Sequence, residues 1–281
     1  MNALFDEPGP RARRRIRIAT VVSALAGAVL FALAVRQFAV NGELDWKKWA
    51  PYTQWPNWRY LLTALGQTLL AAALSAGIGG LAGLLLAVAR VSRNVVVSGL
   101  ARAYLETVRV IPAVLLIYMV LFVLPSLGLD LPLLWKLVVP LAVSSSAQFG
   151  EIFRAGILSL DRGQGEAAAA LGLRTGQSMR LVILPQAVRR VVPSLVSQTG
   201  GVLKDTSLGF FVSYAELLFS GKVLIGYYQN QLLIQTYLVI GAIYFTANYA
   251  LSRFARWLER RRDVPVIRTG HPRAITLGSV E

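Results

Sequence analysis

Six runs of mostly apolar residues, at 18–40, 60–89, 111–127, 133–150, 191–218 and 232–257, are separated by shorter polar or basic stretches. Crossing a hydrocarbon core of ~30 Å takes about 20 apolar helical residues, and each run approaches or exceeds that length. Apolar positions within the runs do not alternate with period two, which argues against the strands of a membrane barrel. The pattern therefore predicts an all-α integral membrane protein with six transmembrane helices. The first run follows an arginine cluster (Arg11, Arg13, Arg14, Arg15 and Arg17). It is too long for the apolar core of a signal peptide, and no small-residue cleavage site follows Arg36 and Gln37, so a retained helix is expected. The chain divides into a basic tail (1–17), a first helix with an external loop (18–59), the main membrane domain (60–257) and a second basic tail (258–281).

Composition strengthens this picture and charge orients it. The chain is 55% hydrophobic and 15% charged, with a mean hydropathy of +0.55, too apolar for a soluble domain of this length. A formal charge of +15 could suit nucleic acid, but the cations lie beside and between the apolar runs and form no single face, so no nucleic-acid partner is expected. One side of the six-helix scheme collects the N-terminal cluster, Arg90, Arg93, Arg102, Arg109, Arg154, Arg162, Arg174, Arg180, Arg189, Arg190 and the basic C-terminus. The other side receives only Lys47, Lys48, Arg59, Lys136 and Lys222. Lys and Arg are retained in cytoplasmic loops, so both termini are expected in the cytoplasm of a multi-pass bacterial membrane protein. The loop at 41–59, with Trp46, Trp49, Trp55 and Trp58, is then expected to lie along the outer lipid interface. The absence of cysteine excludes disulfides and thiolate metal sites, and the single histidine, His271, reads as a solvated tail residue, not a metal ligand.

Chemistry concentrates in the polar stretch at 161–180, on the predicted cytoplasmic side. Glu166 to Leu171 are strong helix formers, Gly172 breaks the run, and Thr175 can cap a second short helix near Gly176. A helix, a turn and another helix presented outside the membrane have an evident use in a protein driven by a separate soluble motor. In the second run, Gly79 and Gly83 share one helix face; packing inside the helix bundle is favoured over a subunit interface.

The stretch resembles the coupling loop of bacterial ABC importer permeases, with the pattern EAAxxxG, nine residues, then IxLP. Glu166, Ala167, Ala168, Gly172, Leu184 and Pro185 meet it, and Val182 stands where the family prefers isoleucine. Glu106, Arg109 and Pro112 resemble the ExxRxxP segment of the polar amino-acid permeases, although VIP replaces the usual GTP. Gln148 to Arg154 (QFGEIFR) and Leu203 to Leu208 (LKDTSL) match further segments of that group, and the PGP and NGxL sequences are most like its glutamate permeases. The resemblance implies a type I importer transmembrane domain whose 161–185 loop sits on an ABC ATPase dimer, which binds ATP and Mg. It also implies a second permease subunit, a homologous different chain, and an extracytoplasmic substrate-binding protein. The implied cargo is a polar amino acid, glutamate first.

Charged groups inside a membrane cost about 2.5–3.5 kcal/mol each on insertion scales, so Lys204 and Asp205 in the fifth run call for a reason. In one reading Gly200 and Gly201 interrupt the helix, Lys204 holds a substrate carboxylate, and Thr206 and Ser207 donate hydrogen bonds. In the other, Lys204 and Asp205 pair with neighbouring helices. Gln148 and Arg109 join them as candidate pathway residues, while Glu151 and Arg154 suit a local ion pair. The chain holds no cofactor site of its own: no GxxxxGK[ST] loop occurs, since Gly221 and Lys222 are followed by Val223. An ion-coupled secondary transporter is the alternative, with Asp205 as thin support, and an intramembrane enzyme lacks a nucleophile and base.

Overall fold

The computed structural model describes residues 9–260. The PGP proline Pro8, the tail residues of 1–8 and of 261–281, and His271 with them, lie outside the described residues. Among the described residues twelve α-helical segments are present: α1 (Pro10–Val40), α2 (Trp46–Trp49), α3 (Trp55–Arg90), α4 (Val95–Val110), α5 (Ala113–Tyr118), α6 (Leu124–Ser126), α7 (Leu133–Leu158), α8 (Arg162–Ala170), α9 (Thr175–Ser178), α10 (Leu184–Asp205), α11 (Leu217–Tyr227) and α12 (Leu233–Arg260). No strand occurs among the described residues. Among the described residues α1 and α3 are long and apolar enough to cross a membrane, and four crossings qualify if each of two bent pairs counts as one. These pairs are α4 with α5–α6, bent by 98°, and the α9–α10 run with α11, bent by 48°. Helices α7 and α12 occupy two more of the expected runs, but Lys136, Ser144, Ser145 and Gln148 in α7, and Gln235, Thr236 and Asn248 in α12, dilute their apolar character.

Prolines shape the long helices. Two wide turns, Met119–Val123 and Met179–Ile183, each end two residues before a proline, Pro125 and Pro185. A proline ring clashes with the carbonyl four residues back and offers no N–H, and a widened turn just ahead of it relieves both problems. The second wide turn joins α9 to α10, so the helix expected to be short runs on into the fifth apolar run.

The chain forms two compact units. Of the described residues, the first contains 9–62 together with 221–239. None of the α1 side chains is buried. The tryptophan-rich loop is tied to the later segment through Tyr52 Oη and Thr236 Oγ1 (2.5 Å), Asn57 Nδ2 donating to Tyr228 Oη (3.0 Å), and Gln235 Nε2 donating to Glu43 O (2.7 Å). Lys48 Nζ lies 2.8 Å from Glu43 Oε1.

The second unit, 63–220 with 240–260 of the described residues, is built around α7, which packs against α4, α5 and α10. One buried cluster joins Ala71, Ile117, Leu137, Leu141, Val212 and Tyr214; another joins Ala87, Phe149, Phe153, Ala187, Val191 and Val202. Gly79 and Gly83 sit where α3 crosses α7. A Cβ at Gly83 would lie 2.7 Å from both Gly150 N and Ser146 O, and one at Gly79 would lie 2.9 Å from Ala142 O. The glycine face therefore serves close packing within this chain.

Candidate functional site

The stretch 161–185 folds as a braced corner. Asp161 caps α8, its Oδ1 accepting from Gly163 N (2.7 Å). At the far end Gly172 adopts φ +76°, while Leu173 N donates to Ala168 O (3.1 Å) and Gly172 N to Ala169 O (2.9 Å). This paired bonding closes a helix whose next residue turns left-handed, the position where glycine avoids a Cβ penalty. The break expected at Gly172 is thus present. The cap of α9 differs from expectation: Arg174 occupies it, its N–H bonded to Gln177 Oε1 (2.9 Å), and Thr175 is the first helical residue.

Two side chains fasten the corner to the bundle. Gln186 Nε2 donates to Gln164 Oε1 (3.0 Å), linking α10 to α8. Arg190 Nη1 donates to Ser159 O (2.5 Å), linking α10 to the end of α7. Of the motif residues, Ala168 is buried, Leu184 is half-buried, and Glu166, Ala167, Gly172 and Pro185 are exposed. An exposed face of small side chains on a braced corner, continuous through α9 with α10, can receive a partner and pass a displacement into the helix as a rigid body.

The other candidate residues lie apart from this corner. Helix α10 runs unbroken through Gly200 and Gly201, without the interruption that one of the two readings placed there. The break comes later: a tight 3₁₀ stretch, Thr206–Val212, follows α10 and ends at Ser213, with φ 56°. Adjacent glycines permit a break but do not impose one, and neither takes a positive φ here. Lys204 is exposed, Asp205 and Ser207 are half-buried, and no carboxylate among the described residues lies within ion-pairing distance of Lys204. Thr206 is fully buried with its hydroxyl donating to Leu203 O (2.6 Å), so it faces the protein interior. Gln148 accepts from Gln198 Nε2 across α7 and α10. Arg109 is exposed at the end of α4, and no hydrogen bond or ion pair joins it to Lys204, Asp205 or Ser207. Glu151 and Arg154 form the expected ion pair (2.9 Å).

Sequence reasoning missed Glu216. Its carboxylate is fully buried and caps α11, accepting from Leu218 N (2.8 Å), Phe219 N (2.7 Å) and Tyr244 Oη (2.9 Å). Buried Thr68 accepts from Leu217 N (3.0 Å) beside it, and the Tyr244 hydroxyl also interacts with Thr206 and Thr68. The network joins α3, the end of α10, α11 and α12. A signal was available: Glu216 is the only carboxylate between residues 206 and 258 and directly precedes an apolar helix.

The described residues form an all-helical bundle with an exposed helical corner, and comparison with known proteins assigns it to a class, the membrane subunits of transporters. Residues 79–264 match the family described as binding-protein-dependent transport system inner membrane component. A probable glutamine ABC transporter permease of Bacillus subtilis, GlnP, is 36% identical over 64% of this chain and 83% of its own length. A glutamate/aspartate import permease of Escherichia coli, GltK, is 36% identical over 78% of this chain and 98% of its own. Among solved structures, one described as an amino acid ABC transporter with histidines superposes with a TM-score of 0.69 at 30% identity, covering 78% of this chain and 99% of the other. The chain belongs to this family, within its amino-acid ABC permeases, and has the membrane-domain fold of type I ABC transporters. It is a transport subunit; in this family ATP hydrolysis belongs to a separate subunit.

Proposed function

We propose that this chain carries an acidic amino acid, glutamate first, inward across a bacterial cell membrane, driven by ATP hydrolysis on a partner ATPase dimer. The 161–185 corner is the coupling element: it seats on the ATPase, which binds ATP and Mg, and its movement reaches the membrane path through the continuous α9–α10 rod. The reading adopts six crossings with both termini cytoplasmic, consistent with the arginine-rich segments falling on one side. A second, homologous permease chain completes the path, and an extracytoplasmic binding protein delivers the cargo. Along the path the exposed Lys204 ammonium attracts the cargo carboxylate, with Asp205, Ser207, Gln148 and Arg109 shaping the route.

The observation that carries this reading is the braced corner itself. Glu166, Ala167 and the left-handed Gly172 are exposed, Ala168 is buried beneath them, and Gln186 and Arg190 anchor the corner to the bundle. Gly172→Leu forces a branched side chain into positive φ and reshapes the corner without touching the membrane core. In proteoliposomes containing the assembled transporter, glutamate uptake is expected to fall at least tenfold while ATP is still hydrolysed, or else the ATPase is lost on purification. Normal uptake with normal ATPase retention refutes the assignment.

A further inference from the structure

Helices α10 and α12 approach each other at Gly200, where a Cβ would lie 3.3 Å from Asn248 Oδ1, and a cavity of about 540 Å³ opens between their 193–198 and 252–256 segments. Its size falls within the range of small-molecule sites, roughly 300–1,000 Å³. The lining is unusually polar for two membrane helices. Ser194, Ser197 and Gln198 contribute from α10, and Ser252 and Arg256 from α12. On α12 the polar positions 244, 248, 252 and 256 recur every four residues and so share one face. Ser194, Ser197, Ser252 and Arg256 are exposed, so the cleft is open and its polar groups are available to water or a ligand.

The lining has a definite electrostatic sense. Among the described lining residues Arg256 is the only ionisable one, and the three serines bring hydroxyl donors. A guanidinium with neighbouring hydroxyls matches a carboxylate, which it can grip with two parallel N–H bonds. Gln198 adds the complementary half: its Nε2 is engaged with Gln148 Oε1, which leaves its own Oε1 as an acceptor. An acceptor and a cation in one cavity suit a zwitterion that carries an additional negative charge.

We propose that this cleft is a second binding station for the carried acidic amino acid, with Arg256 taking a carboxylate and Gln198 Oε1 the ammonium. It is separate from Lys204, which lies six to ten residues further along α10 from these lining residues, about 9–15 Å at 1.5 Å per residue. In the orientation adopted above, the cleft lies toward the cytoplasmic end of both helices and would hold cargo on its way out. The inference rests on the acidic amino-acid reading of function.

The chain has no cysteine, so Ser252→Cys supplies a single reporter on this chain. The full transporter, purified through a tag on this chain and placed in phosphatidylcholine nanodiscs without binding protein or ATP, is treated with a thiol reagent and labelling of this chain is timed. Glutamate is expected to slow labelling at least fivefold, glutarate less, and leucine not at all. Adding Arg256→Gln is expected to abolish protection while assembly and the unprotected labelling rate persist. Should that variant fail to assemble, Gln198→Leu is expected to erase the preference for glutamate over glutarate. Absence of protection in Ser252→Cys, full protection after either substitution, or protection by phosphatidylglycerol or phosphate in place of glutamate overturns the proposal. Glutamate uptake by the same Ser252→Cys transporter separates the two claims. Uptake without protection removes this station alone, whereas no uptake by the unmodified transporter removes the acidic-cargo reading and the station with it.

Discussion

Replacing Glu216 by alanine tests whether its buried network holds the second unit together. The substitution takes away the acceptor for Leu218 N and Phe219 N at the start of α11, and for Tyr244 Oη on α12. Losing a helix cap costs about 0.5–2 kcal/mol. A buried hydroxyl left without its acceptor costs about 1–3 kcal/mol. With the void left by the missing side chain, about 3 kcal/mol is expected in all. At roughly 2–4 °C per kcal/mol for chains of this general size, the melting temperature should fall by roughly 6–12 °C. Glu216→Gln keeps the shape and one acceptor oxygen and should cost about 1 kcal/mol, because its new N–H₂ faces donors. Tyr244→Phe made in the Glu216→Gln background should cost less than in the native chain, since the two share one bond. The assay is a thermal melt of the purified transporter at fixed detergent and protein concentration, with the yield of assembled complex measured alongside. If Glu216→Ala melts within about 1 °C of the native chain, the carboxylate does not hold α11 and α12 together, whatever its burial.

Further perturbations separate contact from composition. Gly83→Ala drives a Cβ against the α7 backbone at 2.7 Å and should destabilise by about 1–3 kcal/mol. Gly80→Ala, with nothing within 4 Å, should be neutral or stabilising by up to about 1 kcal/mol; equal melts for the two would contradict the α3–α7 crossing. Acidification should loosen the first unit. The Lys48 ammonium, then Gln235, holds the Glu43 carboxyl below its usual range by hydrogen bonding. A carboxyl lowered on folding contributes stability that is present above its unfolded pKa and lost as pH falls through the folded value. Hydrogen exchange in the 41–58 loop should therefore gain protection from about pH 3 to about pH 7, corrected for intrinsic rates, and Glu43→Gln should flatten that dependence. An unchanged pH profile in the variant would rule out this anchor.

Local chemistry made much of this protein legible in one dimension. Apolar runs of crossing length declared helices because a backbone in lipid must satisfy its own hydrogen bonds. Gly172 declared a helix end because the left-handed closing position excludes most side chains. The spacing from Glu166 to Pro185 declared the family, since a docking corner constrains residues that lie close together in sequence. Glu151 and Arg154 paired as expected because one helical turn sets their distance.

Tertiary structure decided what depended on partners distant in sequence. Two glycines at 200 and 201 left the helix free to break or continue, and packing of Val191 and Val202 against α7 neighbours, with Gly200 close to Asn248, kept it whole. Thr206 could have faced the path or the interior until α3, α11 and α12 closed around it with Thr68, Glu216 and Tyr244. Gly79 and Gly83 marked one face of α3, yet only the arrival of α7 made that face an internal contact. Gln198 meets Gln148 across 50 residues, and Arg256 shares a cavity with Ser194, because folding brings separate helices side by side. Periodicity records which face a helix would bury; which neighbour covers that face is fixed only when the whole chain packs.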